Sequence, residues 1–232
     1  IRKLNYVNIK LDNMTQKKIK IIDLGLVDYN YGISYQKKIH NNTSDNANVI
    51  LLEHDKVITI GTKGNKNDVL VSANQLKKEG FSVINSDRGG QVTIHNKGQL
   101  VCYIVMPISN YNLKPVDFVR KIECLIINVL KNFDVSSYII KGKTGVWVKS
   151  DNIEKKIAAI GVRISNGISM HGFALNINNN LNDFKFIVPC GIEGSLVTSI
   201  QEELKKEIKM SILKPILIRE IEDNFDCEVL ND

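Results

Sequence analysis

The order of strand-like and helix-like segments is the feature that most restricts how this chain can fold. Strand patterns come in clusters, at 17–27, 49–61, 81–108 and 136–178. Helical patterns lie between and after these clusters, and they do not alternate strictly with the strands. This order predicts an α+β fold that is built on a largely antiparallel or mixed sheet.

The helices are predicted from apolar spacing and from capping residues. The clearest one begins at Pro115, where apolar residues recur at intervals of three and four as far as Phe133. A helix is also predicted from 29 into a polar loop at about 41–48, and a short one follows Ser72, a favourable N-cap residue. The chain is helical again from about residue 200, and no linker divides it, so we expect a single domain.

Composition agrees with an ordinary globular protein. The 232 residues are 43% hydrophobic and 24% charged. The longest apolar stretches, such as "LVCYIVMPI", are far shorter than the roughly 20 residues of a membrane-spanning helix, so we expect no membrane partner. The chain begins at Ile1 rather than Met, which leads us to expect a preceding N-terminal segment that carried any targeting signal.

Basic residues exceed acidic ones by 31 to 25, which gives a net charge of +6. One explanation is an ordinary solvated surface. The other is a surface that attracts acidic protein partners, because a positive field raises their rate of encounter. Nucleic acid is not an expected partner, since the few aromatic residues are not interleaved with the basic ones.

The four cysteines show neither C-x-x-C spacing nor the pattern of a secreted disulfide protein. Cys102 and Cys124 lie inside apolar runs, where we expect both to be buried as small hydrophobic side chains. Cys190 differs because it sits between Pro189 and Gly191 in a predicted loop. Its residue type and position allow either a structural or a chemical role.

Several common enzyme signatures are missing from the sequence. It has no G-x-x-x-x-G-K-[ST] phosphate loop, no G-x-S-x-G elbow, no H-E-x-x-H pair and no G-x-G-x-x-G fingerprint. Nucleotide-binding, serine-hydrolase and zinc-protease functions are therefore disfavoured. The four histidines are scattered and no cysteines cluster, so we expect no metal and no cofactor.

Three polar, glycine-containing stretches stand at the ends of predicted strands: "RGGQVTIH" at 88–95, "KIAAIG" at 156–161 and "HGFALNI" at 171–177. Paired glycines let a backbone approach a ligand closely, and a neighbouring Arg can bind a carbonyl or carboxylate. Each stretch also has a structural explanation: a tight turn with a structural Arg88, a solvent-facing Lys156 and a structural His171.

Together with "PCGI" at 189–192, these stretches resemble the lipoyl(octanoyl) transferase family, whose members move an octanoyl group from acyl carrier protein to lipoyl domains. The resemblance covers about 22–225, and the separation of Lys156 from Cys190 also fits. It implies an α+β fold shared with biotin protein ligases, in which helices flank a large mixed sheet and a smaller sheet lies beside it. It also implies a single catalytic domain over residues 1–232, with a helical C-terminal portion from about 200.

The resemblance implies that Cys190 takes the acyl group as a thioester, which a lysine of the target protein then attacks. Lys156 stands beside the cysteine, either as a cation that favours the thiolate or, when neutral, as a base. The substrate-binding residues implied by the resemblance form an acyl tunnel and its mouth: Arg88, Gly89, Gly90, Gln91, Val92, Thr93, Ile94, His95, Ala159, Ile160, Gly161, His171, Gly172, Phe173 and Ala174.

Two turns depart from the family pattern. The family usually has a Pro in the turn after the motif histidine, where this chain has Asn96-Lys97-Gly98. It also usually has an Arg after an early "LG", where this chain has Gly61-Thr62-Lys63. Either Lys63 makes the contact that the Arg makes in the family, or that contact is lost.

By resemblance, the donor is octanoyl-acyl carrier protein, the acceptors are lipoyl domains of 2-oxoacid dehydrogenases or the glycine cleavage H protein, and the enzyme is a monomer. One alternative is an ATP-dependent lipoate protein ligase, which does not need Cys190. Another is a non-catalytic protein that binds an acylated or lipoylated partner. The Lys- and Asn-rich composition favours an organelle, either a plastid (apicoplast) or a mitochondrion, with a bacterial cytoplasm as the alternative.

Overall fold

Two β-sheets of unequal size form the frame of the molecule. The computed structural model describes residues 17–43, 46–150, 152–189 and 196–231. Within this part of the chain, nine strands form the large sheet and three form the small one. The strands are β1 Lys17–Val27, β2 Ala47–His54, β3 Val57–Ile60, β4 Ser82–Asn85, β5 Val92–His95, β6 Gln99–Val105, β7 Tyr138–Ile140, β8 Lys143–Ser150, β9 Ile153–Ser165, β10 Ile168–Asn176, β11 Leu196–Val197 and β12 Cys227–Asn231.

Most of the described helices begin where the sequence supplies a cap or a favourable first residue. They are α1 Tyr29–Asn42, α2 Ala73–Lys78, α3 Pro115–Lys131, α4 Ile200–Leu204 and α5 Met210–Phe225. The side chain of Asp28 caps α1 and that of Ser72 caps α2. Pro115 is the first residue of α3, where its missing N–H costs no hydrogen bond.

The large sheet is mixed. Its strand order is β12-β1-β2-β6-β10-β9-β8-β7, and β11 pairs with β9 outside this path. β1 runs parallel to both β12 and β2, whereas the pairs from β2 to β8 are antiparallel. The predicted α+β class with a mixed sheet is confirmed.

Strand β6 shows how the large sheet divides its two faces. Leu100, Cys102 and Ile104 belong to the main core, which also contains the apolar residues of α3 and α5. The alternate residues Val101 and Tyr103 belong to a separate cluster on the opposite face, where α1 packs. The side-chain period of two along a strand produces this division.

The small sheet, in the order β4-β3-β5, has its own core. Ile58, Ile60, Val92 and Ile94 pack there with aromatic residues of a short helical segment, Leu181–Phe186. On β5 the alternate residues are polar, and they point towards the large sheet. The space between the two sheets therefore has a polar wall on the side of the small one.

Two expectations about the secondary structure and the core need correction. The portion from about 200 was expected to be helical, but it ends in strand β12, whose five residues follow α5 after a single residue and show no clear alternation. Cys102 is buried as expected, but Cys124 is exposed. On α3, Ile122 and Leu125 face the core, and the helical period turns Cys124 away from it.

Among the helices of the described residues, none combines the length and the hydropathy that crossing a membrane would require.

Candidate active site

A cavity of about 270 Å³ lies between β5 of the small sheet and strands β6, β9 and β10 of the large one. The structure brings the sequence-predicted site residues together around it. Of the predicted residues that the structure describes, all except Gly89 and Ile94 line this cavity. Residues that are far apart in the chain thus form one wall, because the topology places their strands next to one another.

Small residues of β9 and β10 form the floor of the cavity. In the register of these strands, Ala159 lies opposite Ala174, and Gly161 lies opposite Gly172. A Cβ atom on Gly161 would lie 2.7 Å from the carbonyl oxygen of Gly89, which is too close for van der Waals contact. The glycine at 161 therefore lets the "RGG" loop approach the large sheet.

Arg88 holds that loop in place. Its guanidinium donates to the Thr59 hydroxyl and to the carbonyl oxygens of Thr59, Gly89 and Gln91, at 2.7 to 3.1 Å. Arg88 is almost fully buried and also borders the cavity. These hydrogen bonds are made to the protein itself, which favours the structural explanation for this residue over direct binding of a substrate carboxylate.

Lys156 is buried on β9, contrary to the simple expectation of a solvent-facing lysine. Only 6% of the residue is exposed, and its Nζ lies 4.7 Å from the centre of the Trp147 ring, a cation–π distance. A Cβ atom on Gly145 would lie 3.4 Å from Lys156 Cε, so the glycine leaves room for the lysine side chain. The Lys156 side chain is therefore packed in a defined position at the cavity.

Cys190 lies outside the described residues, as do Gly191 and Ile192 of the "PCGI" stretch. The described residues on either side approach Lys156. Pro189 and Val197 line a small space together with Lys156. Val197 pairs with Lys156 in the sheet, and the N–H of Thr198 donates to the Lys156 carbonyl oxygen at 3.0 Å.

His171 is held at both its backbone and its ring. Its N–H donates to the Oε1 of buried Gln36 at 2.5 Å, and its Nε2 lies 2.8 Å from Asp87 Oδ1. Its φ of +58° is in the left-handed region, which residues with a side chain rarely adopt. Burial lowers the pKa of His171 and outweighs the opposing effect of Asp87, so the ring is neutral at pH 7 and donates its Nε2–H to the carboxylate.

Asp87 connects His171 to β9, since its second carboxylate oxygen pairs with Arg163. Burial alone would raise the pKa of Asp87, but the hydrogen bonds from His171 and Arg163 and the positive charge of Arg163 lower it. The residue before Arg88 is therefore an ionised carboxylate that connects the "RGG" loop to β9 and β10.

His95 is also neutral, and its proton has a fixed place. Burial lowers the pKa of His95 to about 3. Its Nδ1 lies 2.7 Å from Gln99 Oε1, while the Gln99 amide nitrogen donates to Asn176 Oδ1 and to the Ile94 carbonyl oxygen. The imidazole therefore carries its proton on Nδ1, where Gln99 accepts it.

A third histidine, His54, lies behind the cavity wall. Its Nδ1 lies 3.1 Å from the Val27 carbonyl oxygen and its Nε2 lies 2.7 Å from the Tyr103 hydroxyl. Burial lowers the pKa of His54 to about 4 and raises that of Tyr103, so both groups are neutral near pH 7. The His54 Nδ1–H donates to Val27, and the Tyr103 hydroxyl donates to Nε2.

Two predicted residues of the "RGGQVTIH" stretch do not line the cavity. The Ile94 side chain packs into the core of the small sheet, on the opposite face of β5 from Thr93 and His95. Gly89 lies against β9, and its N–H donates to the Val162 carbonyl oxygen at 3.2 Å. Both positions hold the stretch against its neighbours.

The two departures from the family pattern have visible consequences. Lys63 borders the cavity, which places a positive charge at its rim. In the turn at 96–98, Asn96 Nδ2 donates to Asp183 Oδ2 at 2.7 Å, and the Gly98 N–H donates to Glu53 Oε2 at 2.7 Å. Side-chain hydrogen bonds thus hold this turn, which has no proline.

Sequence reasoning missed several cavity residues. Tyr29 at the start of α1, Tyr103 on β6, and Lys143 and Thr144 at the start of β8 all line the cavity. Tyr103 sits inside the apolar run "LVCYIVM", where an aromatic residue predicts core packing. Its alternation with Cys102 along β6 is the signal that separates the two faces, but only the pairing of strands shows which face meets the cavity.

Comparison with known proteins identifies the family. The model of the lipoyl protein ligase A/B catalytic domain matches residues 28–222. The octanoyltransferase of Cytophaga hutchinsonii is 36% identical to the chain, and the match covers 94% of this chain and 96% of that protein. This chain belongs to the lipoyl(octanoyl) transferase family. It is therefore an acyltransferase, as the resemblance predicted.

Other relatives and structures agree with this assignment. The octanoyltransferase of Bacteroides fragilis is 39% identical over 78% of this enzyme and 82% of its own length. A bipartite lipoate protein ligase of Thermoplasma acidophilum superimposes with a TM-score of 0.74 at 15% identity, over 94% of this enzyme and 86% of that chain. A biotin protein ligase of Aquifex aeolicus superimposes with a TM-score of 0.52 at 10% identity, over 89% of this enzyme and 69% of that chain. These two structures show the shared fold.

Proposed function

We propose that this acyltransferase moves an octanoyl group from octanoyl-acyl carrier protein to a lysine of a lipoyl domain, through a thioester on Cys190. The observation that carries the proposal is the position of Lys156. This buried lysine lies at the cavity formed by the predicted motifs, and it lines a second, small space together with Pro189, the residue directly before Cys190. We therefore expect the cysteine that follows Pro189 to react beside an ammonium group.

In the first step, the Cys190 thiolate attacks the carbonyl carbon of the carrier thioester. The C–S bond to the carrier breaks, the carrier leaves as a thiolate that takes up a proton, and Cys190 becomes octanoylated. A free cysteine has a pKa of about 8.5, so only a few per cent is thiolate at pH 7. A neighbouring ammonium at Lys156 favours the thiolate form and raises that fraction.

In the second step, the amino group of the acceptor lysine attacks the thioester on Cys190. An amide bond forms, the C–S bond breaks, and the proton lost by the amine returns to the Cys190 sulfur. Exchange between thioesters is nearly isoenergetic, whereas formation of an amide from a thioester is downhill. The two steps together need positioning of the groups and no ATP.

Both steps form an oxyanion, which hydrogen-bond donors must stabilise. His95 is a poor donor for it, because this neutral ring gives its single proton to Gln99. Backbone N–H groups near Gly90 and Gly191 are the better candidates. His95 instead contributes to the shape of the cavity wall, where its ring stacks against that of Tyr29 at 6.2 Å.

The partners follow from the same proposal. The lipoyl-domain acceptors come from 2-oxoacid dehydrogenases or the glycine cleavage H protein, and the enzyme acts as a monomer. Residues 1–232 work as one catalytic domain, supported by the packing of α5 against α3 in the main core. An organelle and a bacterial cytoplasm are the two compartments considered, and the bacterial source of the named relatives favours the second.

The test is to mix the protein with octanoyl-acyl carrier protein, without ATP or acceptor, and to measure its intact mass and the modified peptide. We expect one octanoyl adduct on Cys190, which disappears when a lipoyl domain is added. Cys190→Ser should abolish transfer of the octanoyl group to the lipoyl domain. Cys124→Ser is the matched control, because Cys124 is an exposed cysteine on α3, and we expect its adduct and rate to equal those of the wild type.

A folded wild-type protein that remains unmodified would refute the cysteine mechanism. Transfer that requires ATP and survives Cys190→Ser would instead identify a lipoate protein ligase. Tight binding of the acylated carrier with no turnover would identify a non-catalytic binding protein.

A further inference from the structure

The cavity extends along the strands of the large sheet from Lys156 to a row formed by two glycines and a tyrosine. On β9 its lining residues run from Lys156 to Gly161, and the five steps between these residues cover about 16 Å along the strand. The register places Gly161 opposite Gly172, and Gly172 opposite Tyr103. The row of Tyr103 therefore lies five residues along β9 from Lys156, and His171, one position further along the sheet, also lines the cavity.

Among these three residues, only Tyr103 has a side chain that can close the cavity. A Cβ atom on Gly161 would lie 2.7 Å from the Gly89 carbonyl oxygen, and one on Gly172 would collide with the Cys102 carbonyl oxygen. Neither strand can therefore carry a larger residue at this row without moving its backbone. Arg88 and Gly89 pack over Gly161, so at this row the tyrosine ring is the large side chain that the sheet itself contributes to the cavity.

Tyr103 is also fixed in place. Only 4% of the residue is exposed, and its hydroxyl lies 2.7 Å from His54 Nε2. His54 is anchored in turn by the Val27 carbonyl oxygen at 3.1 Å, and the Tyr103 ring packs edge-on against His171. Turning the ring aside would break a buried hydrogen bond, and an unpaired buried polar group is costly.

We propose that Tyr103 sets the length of the acyl chain that this enzyme accepts, by forming the closed end of the cavity. This inference rests on the proposed octanoyl transfer. The reacting end of the acyl group lies at Lys156, and the last methyl group of an eight-carbon chain meets the tyrosine ring. A longer chain must either displace the ring or leave its reacting end out of position.

The direct test is Tyr103→Leu, assayed with carrier proteins that hold chains of six, eight, ten and twelve carbons. Leucine has about four fewer heavy atoms than tyrosine, which leaves space for about two more methylenes. Each buried methylene contributes about fourfold, the equivalent of about 0.8 kcal/mol. We expect the ratio of kcat/KM for ten carbons over eight to rise by about tenfold or more, and an unchanged ratio would overturn the proposal.

Two matched variants distinguish a change in the depth of the cavity from loss of the tyrosine hydroxyl and from enlargement of the cavity elsewhere. Tyr103→Phe keeps the ring and removes only the hydroxyl, so its chain-length ratio should stay that of the wild type even if the protein is less stable. Val101→Ala enlarges the same wall one row nearer Lys156, opposite Ala174. It should lower kcat/KM for all lengths alike, and a shift towards ten carbons in this variant would contradict the role of Tyr103.

A binding measurement distinguishes failure of this inference from failure of the proposed function. Free fatty acids of eight, ten and twelve carbons are titrated into the wild type and Tyr103→Leu by calorimetry, which requires no chemistry at Cys190. The inference predicts that only the variant binds the ten-carbon acid more tightly than the eight-carbon acid. If the wild type transfers no acyl group yet this shift appears, the proposed function fails and Tyr103 still limits the cavity. If neither measurement shows a shift, Tyr103 is not the limiting residue.

Discussion

At the scale of single residues, the unusual feature of this site is its set of buried, neutral histidines. His54, His95 and His171 all have a lowered pKa, and burial is the main cause for each. A buried imidazole is a hydrogen-bonding group of fixed geometry as long as it stays neutral. These rings therefore shape the cavity at neutral pH, and they are weak points of the fold in acid.

We predict that stability falls as the pH decreases from about 6.5 to about 4. The unfolded chain binds protons on its histidines below pH 6.5, whereas folded His54 resists protonation down to its pKa of about 4. Where the unfolded state binds more protons, the free energy of unfolding rises with pH, by up to about 1.4 kcal/mol per pH unit for each such histidine. Urea unfolding at several pH values measures the slope.

His54→Gln isolates the contribution of His54 to this pH dependence, because glutamine keeps a polar side chain at the position and does not titrate. Between pH 4 and 6.5 we expect its unfolding free energy to depend less steeply on pH than that of the wild type. Parallel curves for the two proteins would show that His54 is not protonated differently in the folded and unfolded states.

Gly161→Ala tests the close approach of the "RGG" loop to β9. The added methyl group would lie 2.7 Å from the Gly89 carbonyl oxygen, so the loop must move outward. We expect a loss of about 1 to 3 kcal/mol in unfolding free energy, together with a higher KM for the octanoyl donor. Denaturant titration and steady-state kinetics measure the two effects.

Gly167→Ala is the matched control for that change. Gly167 has a positive φ of +78° and nothing within 4 Å of its Cβ position, so alanine there strains the backbone without touching the cavity. We expect a comparable loss of stability with an unchanged KM. A raised KM in this control would mean that reduced stability alone explains the kinetic effect of Gly161→Ala.

At the scale of secondary-structure elements, local patterns in the sequence were sufficient for the starts of three helices. Asp28, Ser72 and Pro115 mark the starts of α1, α2 and α3, and all three helices begin where the sequence predicts. Helix α5 ends differently, at Asp226 with a left-handed φ of +50°. That conformation suits glycine better than a residue with a side chain.

Asp226→Gly should therefore stabilise the protein by a few tenths to about 1 kcal/mol, because it removes the cost of the left-handed conformation at the end of α5. Asp223→Gly provides the contrast, since Asp223 is exposed inside the same helix and glycine there should cost a few tenths of a kcal/mol. Thermal and urea unfolding measure both variants. A destabilised Asp226→Gly protein would mean that the aspartate makes a contact that outweighs its strain.

The sequence was less informative where pairing between distant strands decides the result. It predicted β6 as a strand but not that Tyr103 would face the cavity, because that depends on which strands lie beside β6 and on which face α1 packs. It also missed β12, whose pairing with β1 joins two strands about 200 residues apart. The motif residues were found because the resemblance supplied their common location, which no local pattern contains.

At the scale of the whole molecule, the site exists because the small sheet and the "RGG" loop close over one face of the large sheet. The cavity between them carries Lys63 at its rim, and the chain has an excess of six positive charges. Such a field attracts an acidic carrier protein from a distance. The sequence left open whether the basic excess is functional or only solvated, and salt dependence distinguishes the two explanations.

If the positive charge serves to recruit an acidic acyl carrier protein, kcat/KM for octanoyl-acyl carrier protein should fall as salt increases. Between about 10 mM and 150 mM, the Debye length shrinks from about 30 Å to about 8 Å, which removes long-range attraction. We expect a decrease of severalfold to about tenfold in kcat/KM. The matched substrate is a small, uncharged octanoyl thioester, whose kcat/KM should hardly change because it experiences no long-range attraction. Equal salt dependence for the two substrates would assign the effect to the chemistry at the site and leave the basic surface as an ordinary solvated one.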